Sequence, residues 1–469
     1  MRQPSTTTLL IQNGTLVTPE GTVEADLLAQ GEHIKAIGRG LPVAHDARVL
    51  DAEGCYVLPG VIDAHTHIAL DTGVYRTPDD WFAGTRAAAC GGVTTVVDFA
   101  TQFAGQSLRE AVEARLEEAR EAVVDYGLHV MVTDLPPGRE GELADLVELG
   151  TPSVKLYTIY RPNYYADDAT ILRLMEAAAD LGVLPLIHCE NDALVTAQTE
   201  ALVAAGETGW RNHGRSRPAL AEQEAVQRVL FLAEAAGCPV HICHCSTGRS
   251  VALVAEARDN GQAVTCETCP QYLLLDSTAY EGPKPWRYIL QPPLRDPGEP
   301  DRLWATVEAG MVDLVVTDHC DYTREQKLAN DDFTRTPGGL PGMETLLPLM
   351  FTYGVSEGFD PAQPKGQLTW PQLVELLAAN PARLWGLWPR KGALLPGSDA
   401  DIVVYDPQPE GIIRAEDLHH LAGYTPYEGM RVQGQVRATI SRGQVIYREG
   451  RFTGRKGRGR FVARKRVDE

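Results

Sequence analysis

Apolar and polar positions along the chain change rhythm twice. Residues 9–17 (LLIQNGTLV) and the segments that follow, to about residue 58, alternate as short strands broken by turn residues, with no good helix among them. The Asn13-Gly14 pair inside the first segment predicts a hairpin at that point. From residue 61 short apolar runs are separated by longer stretches rich in Ala, Leu and Glu. The runs predict strands at 61–67, 93–99, 128–133, 153–158, 183–188, 239–244, 262–267 and 312–318, and the clearest helices between them are 108–123 and 168–181. Past residue 385 strands and turns return, in 397–407 and 436–452.

Short apolar strands joined by helical crossovers mark βα units and a parallel sheet. Eight of them in succession predict an α/β fold, a (β/α)8 TIM-like barrel. The competing arrangement is an open doubly wound sheet, but no Gly-rich dinucleotide fingerprint follows the first strand. The β-rich ends predict a small β-sandwich domain formed by both chain termini. Residues 1–58 with 386–469 would make that unit, and 59–385 the catalytic barrel.

A chain of 469 residues exceeds what one core usually supports, in keeping with two units. The formal charge of -20 argues against nucleic acid or an anionic membrane as the main partner. The basic tail from Arg451 to Arg466 stands out locally, and in so acidic a chain it reads as a subunit contact or a solvated tail. No run of 18 apolar residues occurs, and the opening MRQPSTTTLL lacks the apolar stretch of a secretory leader, so a cytoplasmic location is expected. The nine cysteines agree with it, being odd in number and without the spacing of a disulfide framework. The Cys266/Cys269 and Cys243/Cys245 pairs lie in or beside apolar runs and read as small hydrophobes.

Barrels of this kind place their chemistry at the C-terminal ends of the strands. Here strand 1 ends in His65 and His67, strand 5 in His188, strand 6 in His244 and strand 8 in Asp318, while strand 4 carries Lys155. Any one buried histidine is more often a satisfied core residue than a ligand. Four histidines and an aspartate at the ends of four strands make a metal-binding set. His241 stands three residues before His244, so on a regular strand it faces the other way and is expected beneath a helix. His319 is likewise expected to point away from Asp318. His33, His45, His129, His213, His419 and His420 fit no strand-end pattern and are expected in loops or at the surface. A lysine in an apolar strand needs to be neutral, paired or modified.

His65-Thr66-His67, Lys155, His188, His244 and Asp318 together resemble the binuclear site of the cyclic amidohydrolases. The resemblance extends through FAGTRAAACGGVTT (82–95), KLYTIY (155–160), IHCEND (187–192), CETCPQYLLLD (266–276), PPLR (292–295), TDHC (317–320), GLPGME (339–344), PARLWGLWPRKG (381–392) and PYEG (426–429). Hydantoinases and dihydropyrimidinases, of the phenylhydantoinase type in particular, are the group it is most similar to. The resemblance implies two divalent metal ions, zinc first, with manganese, iron or cobalt as alternatives. It implies that Lys155 is carboxylated by CO2 to a carbamate shared by both. His65, His67 and Asp318 would hold one ion, and His188 and His244 the other. An activated water would then open the cyclic amide ring of a 5-substituted hydantoin or dihydropyrimidine to an N-carbamoyl amino acid. Asp318 would serve as general base and then acid, and Tyr160 as an oxyanion-stabilising donor. Tyr157 and Tyr164 would line the pocket for the ring substituent. Relatives often have Ser before PPLR and Asn before GLPG; this chain has Gln291 and Gly338, so its choice of ring is left open. A homotetramer or homodimer is implied. An allantoinase shares the whole ligand set, and some relatives keep only a scaffold role. A dihydroorotase would want an arginine just after HxH, where this chain has Ile68, Ala69 and Leu70.

Overall fold

The computed structural model describes residues 8–42, 45, 47–356 and 366–466; the stretch 1–7, most of the segment searched for a leader, lies outside the described residues. Two sheets organise it. One is an eight-stranded parallel sheet whose strands neighbour one another in chain order: β1 (Val61–Thr66), β2 (Val93–Thr101), β3 (Asp125–Met131), β4 (Ser153–Tyr157), β5 (Leu184–His188), β6 (Val240–Ile242), β7 (Val264–Thr268) and β8 (Leu314–Val315). The two ends meet where Thr66 bridges His319 and the His67 N–H donates to the His319 carbonyl at 2.7 Å. The barrel is thereby nearly closed. Strands β1, β3, β4, β5 and β6 are buried at every position, as parallel strands covered by helices must be.

The crossover helices carry their own start and stop signals. Ser107 and Glu110 form a capping box on Leu108–Glu118, shorter than the 108–123 predicted because Ala119–Glu121 tightens into a 3-10 turn before β3. Asp167 caps Asp168–Leu181, which ends at Gly182 with φ 67°.

The second sheet has nine strands and draws on both ends of the chain. Strand Thr8–Thr18 pairs with Gly21–Gln30, Arg48–Asp51 and Tyr56–Pro59; Tyr56–Pro59 then pairs with Ile402–Ile412, and that strand with Arg431–Ser441. The sheet packs over its own core, which includes Leu9, Ile11, Leu27, Val57, Ile402 and Ile440. The Asn13-Gly14 hairpin does not form. Asn13 takes a left-handed φ of 63° as a bulge within one continuous strand, and the chain reverses only between Thr18 and Gly21. Packing decides this: a Cβ on Gly14 would fall 2.6 Å from Val57, so the glycine serves a close approach rather than a turn.

Where the two sheets meet, Lys391 is buried and reaches Asp125 of β3 and Asp401 at 2.6 Å and Asp399 at 2.9 Å, while Arg442 also pairs with Asp125 at 3.0 Å. The basic tail is folded onto its own chain. Gly459 and Val462 donate to the Ala122 and Tyr126 carbonyls, and the buried Arg464 donates to the Leu128 carbonyl and Ser153 Oγ. Replacing Lys391 by Met leaves three buried aspartates with one fewer cation. Urea unfolding of Lys391→Met is expected to show a loss of ~3–5 kcal/mol, the cost of breaking a buried ion pair from one side. A change below about 1 kcal/mol would mean that the cluster contributes no more than a surface pair does.

Candidate active site

The C-terminal ends of the barrel strands open into one cavity of ≈ 530 Å³. His65, His67, Lys155, His188, His244 and Asp318 all line it, as do Tyr157, Tyr160, Tyr164, Gln291 and Gly338. Residues expected to act together from seven separate segments thus share one space.

Regular alternation delivers only some of them. His65 of β1 and Lys155 of β4 face inward on their strands. His244, Asp318 and Tyr160 each sit just past a strand with a left-handed backbone, at φ 34°, 52° and 79°. None is a glycine, and holding a non-glycine there costs about 1–3 kcal/mol, which the surroundings must offset. These bends explain how His244 enters the cavity although strand parity would turn it out. They also reverse the expectation for His241. It is not under a helix: it points into the barrel below the site, its Nε2 3.1 Å from Glu267 and its Nδ1 2.8 Å from Thr265 Oγ1. His319 faces Asp79 and Asp321 at 3.3 and 3.6 Å and accepts from the Gly342 N–H. His129, His213 and His420, expected in loops or at the surface, are buried. His129 spans Ser153 Oγ and the Ala64 carbonyl, and His213 meets the Leu290 carbonyl.

The ligand atoms of His65, His67 and Asp318 lie within 4.8 Å of one another. Asp318 Oδ1 is 3.4 Å from His65 Nε2 and 3.2 Å from His67 Nε2. The His188 and His244 rings are 4.6 Å apart, and His65 is 5.4 Å from His244. Burial holds the His65, His188 and His244 imidazoles below their ordinary range, which favours the neutral form with a lone pair to offer. Burial works to raise the Asp318 carboxyl, but the His65 and His67 rings outweigh it and hold Asp318 below the usual range. Among the described residues neither the buried Lys155 Nζ nor His65 Nε2 has a hydrogen-bond partner of good geometry; the Cys243 thiol lies beside the amine and the rings of Phe99 and Tyr157 flank it at 5.5 and 5.4 Å. A donor set of buried imidazoles and a partly exposed carboxylate, whose facing atoms His65 Nε2 and Asp318 Oδ1 lie 3.4 Å apart without a hydrogen bond, suits divalent cations.

A layer of carboxylates beneath the site was not anticipated. Glu267 of β7 takes the His65 Nδ1, pairs with His241 and accepts from the His244 N–H at 3.2 Å. This fixes His65 with its Nε2 toward the cavity. Glu190 does the same for His188, at 2.8 Å from its Nε2, and is itself paired with Arg217. Asp98 of β2 accepts from Thr66 Oγ1 and the Ile68 N–H, both at 2.8 Å, and so fixes the turn after β1. The sequence offered a signal for two of these: Glu267 ends the seventh predicted strand, and Glu190 follows His188 by two.

On the rim, Tyr157 lies 5.8 Å from Tyr160 and 5.7 Å from Tyr164. Burial raises the Tyr160 phenol well above its ordinary range, so it stays protonated. The two departures are linked in space: a Cβ on Gly338 would fall 1.8 Å from Gln291 Oε1, so the carboxamide takes up the room that a side chain at 338 would need.

Residues 56–446 match the Amidohydrolase family. The chain is 42% identical over 464 residues to D-phenylhydantoinase of Escherichia coli (strain K12), which covers 97% of this chain and 98% of that protein. Among solved structures it is similar to a dihydropyrimidinase from Brevibacillus agri NCHU1002, with a TM-score of 0.93, 39% identity and coverage of 98% and 99%. It is also similar to an L-hydantoinase from Arthrobacter aurescens, with a TM-score of 0.88, 30% identity and coverage of 97% and 99%. One backbone thus accommodates enzymes named for opposite hands. Replacing Glu267 by Gln keeps its volume but removes the charge that orients His65. Chelator competition on Glu267→Gln is expected to show metal affinity lowered roughly 10–100-fold; unchanged affinity would reduce Glu267 to a packing role.

Proposed function

This chain belongs to the amidohydrolase family, and we propose the assignment of roles that follows for its site. The protein is a metal-dependent cyclic amidohydrolase that opens the ring of 5-substituted hydantoins or dihydropyrimidines to N-carbamoyl amino acids. The observation that carries the reading is the meeting of His65, His67, Lys155, His188, His244 and Asp318 around one cavity. His65, His67 and Asp318 would hold one divalent ion and His188 and His244 the other, zinc being favoured by the imidazole-rich set. Ions bound there supply a polarised carbonyl and an activated water.

Lys155 is the side chain whose state matters most. An ammonium buried without an acceptor is costly. Reaction of its amine with CO2 turns it into an anionic carbamate whose two oxygens could serve both ions, and this supports Lys155 as the shared ligand.

The remaining steps belong to the protein's own groups. Asp318, held ionised, takes the proton of the attacking water and returns it to the ring nitrogen as the C–N bond breaks. Tyr160, held protonated, donates to the oxygen of the carbonyl under attack. The Gln291 carboxamide presents one donor and one acceptor side by side, which complements the N–H and C=O along the edge of a cyclic amide. Leu70, Val74, Tyr75, Tyr157 and Tyr164 make a largely apolar wall suited to an aryl or alkyl 5-substituent.

Turnover against a panel of 5-arylhydantoins, 5-alkylhydantoins, dihydropyrimidines and allantoin tests the reading. Ring opening of an apolar 5-substituted hydantoin or a dihydropyrimidine ahead of allantoin is expected; a preference for allantoin, or no turnover of any ring by metal-loaded protein, would overturn it. Lys155→Ala is expected to lose most bound metal by elemental analysis and most activity, with partial recovery of both on adding short carboxylic acids. Normal metal content and turnover in that variant would remove the carbamate from the site.

A further inference from the structure

Tyr160 does not stand alone. Its Oη lies 3.3 Å from Arg217 Nη2, and the guanidinium carbon is 5.3 Å from the centre of its ring. Arg217 is 8% exposed and forks onto Glu190, Nε to Oε1 at 3.0 Å and Nη2 to Oε2 at 2.6 Å. The same Glu190 Oε2 meets His188 Nε2. The arginine is gripped from behind as well: its carbonyl accepts from Arg295, which pairs in turn with the buried Glu222. Arg217 therefore has little freedom to leave the phenol.

The chemistry of the contact is one-directional. A guanidinium has five N–H donors and no acceptor, so Tyr160 Oη must be the acceptor. A phenol hydroxyl that accepts on one side turns its own hydrogen to the other, here away from the guanidinium. We infer that Arg217 is a positioning residue for ring opening: it orients the Tyr160 hydroxyl so that the O–H donates to the carbonyl oxygen of the substrate. This rests on the reading of Tyr160 as the oxyanion donor given above. Arg217 itself does not line the cavity, so it acts through Tyr160.

A double-mutant cycle separates this from a purely structural role. Arg217→Lys, Tyr160→Phe and the double variant are compared with wild type on the ring that wild type opens fastest, each with its metal content and melting temperature. Tyr160→Phe is expected to lower kcat roughly 10²–10³-fold. Arg217→Lys is expected to lower kcat about 10–100-fold, with KM little changed and metal content at the wild-type level. In the Tyr160→Phe background the same substitution should change kcat less than about twofold, because the hydroxyl it orients is gone. Losses that multiply, or a fall in kcat matched by a fall in bound metal, would overturn the inference. If Arg217→Lys does not fold, Arg217→Gln is compared in the same way, and the same non-additivity at wild-type metal content is required of it. An unchanged kcat in Tyr160→Phe would sink the role given to Tyr160 itself, and no turnover by wild type would sink the function; neither can be confused with additivity.

Discussion

A β-strand offers a barrel interior every second residue, and this cavity needs more than that allowance provides. The chain meets the need by bending. At Tyr160, His244 and Asp318 the backbone turns left-handed just beyond a strand, and each turn brings a side chain inward that the pleat would have sent elsewhere. The bends persist only because they are tied down. His319, next to Asp318, bridges to Thr66 and Leu340; the His244 N–H is held by Glu267; and the Tyr160 carbonyl accepts from the Asn163 and Tyr164 N–H groups. The strain at the mouth of the barrel and the order around it are thus one arrangement, as is common where chemistry is done.

Around the imidazoles the fold buries negative charge, and several of the buried carboxylates have a cationic partner. Glu190 meets Arg217, Glu222 meets Arg295, Asp98 meets Arg115 and Asp125 meets Lys391 and Arg442. Burial works to raise Glu190 and Asp125 toward the neutral form. The charge of Arg217 instead holds Glu190 far below its usual range, and Lys391 and Arg442 hold Asp125 below its own. The pairs span from 17 residues along the chain, between Asp98 and Arg115, to 317, between Asp125 and Arg442, so the electrostatics that keep the ligands oriented also fix the segments around them. Taking one partner away costs more than the pair contributes, since it leaves a lone charge in the interior.

What could be read from the chain followed the reach of local patterns. Parallel strands covered on both sides appear as unbroken apolar runs, and so β1 to β7 lay close to where those runs suggested. The last predicted strand, 312–318, shrinks to Leu314–Val315 because the chain is already turning toward Asp318. Strand-end histidines were legible because a strand end is a place as well as a pattern. His241 was misplaced by the same reasoning: parity correctly separates it from His244, but it is His244 that departs from the pleat. Asn13-Gly14 looks like a hairpin until Val57, some forty positions on, needs the space. Arg217 carried no local signal, and Arg295 showed only as the end of PPLR without its partner, since an ion pair across the fold leaves no periodic trace. The basic tail was legible as charge but not as a partner for its own barrel.

The joint between Tyr56–Pro59 and Ile402–Ile412 has a consequence for how the molecule comes into being. The early strand is synthesised long before its neighbour, with the entire barrel in between. Until then Tyr56–Pro59 presents a bare edge of backbone donors and acceptors, the kind of surface on which other chains can add. Contacts so remote along the sequence also close slowly. Assembly in the cell is therefore most vulnerable to mispairing in the interval after the barrel strands have emerged and before residue 402 arrives, and a chaperone that covers sheet edges would matter most in that interval.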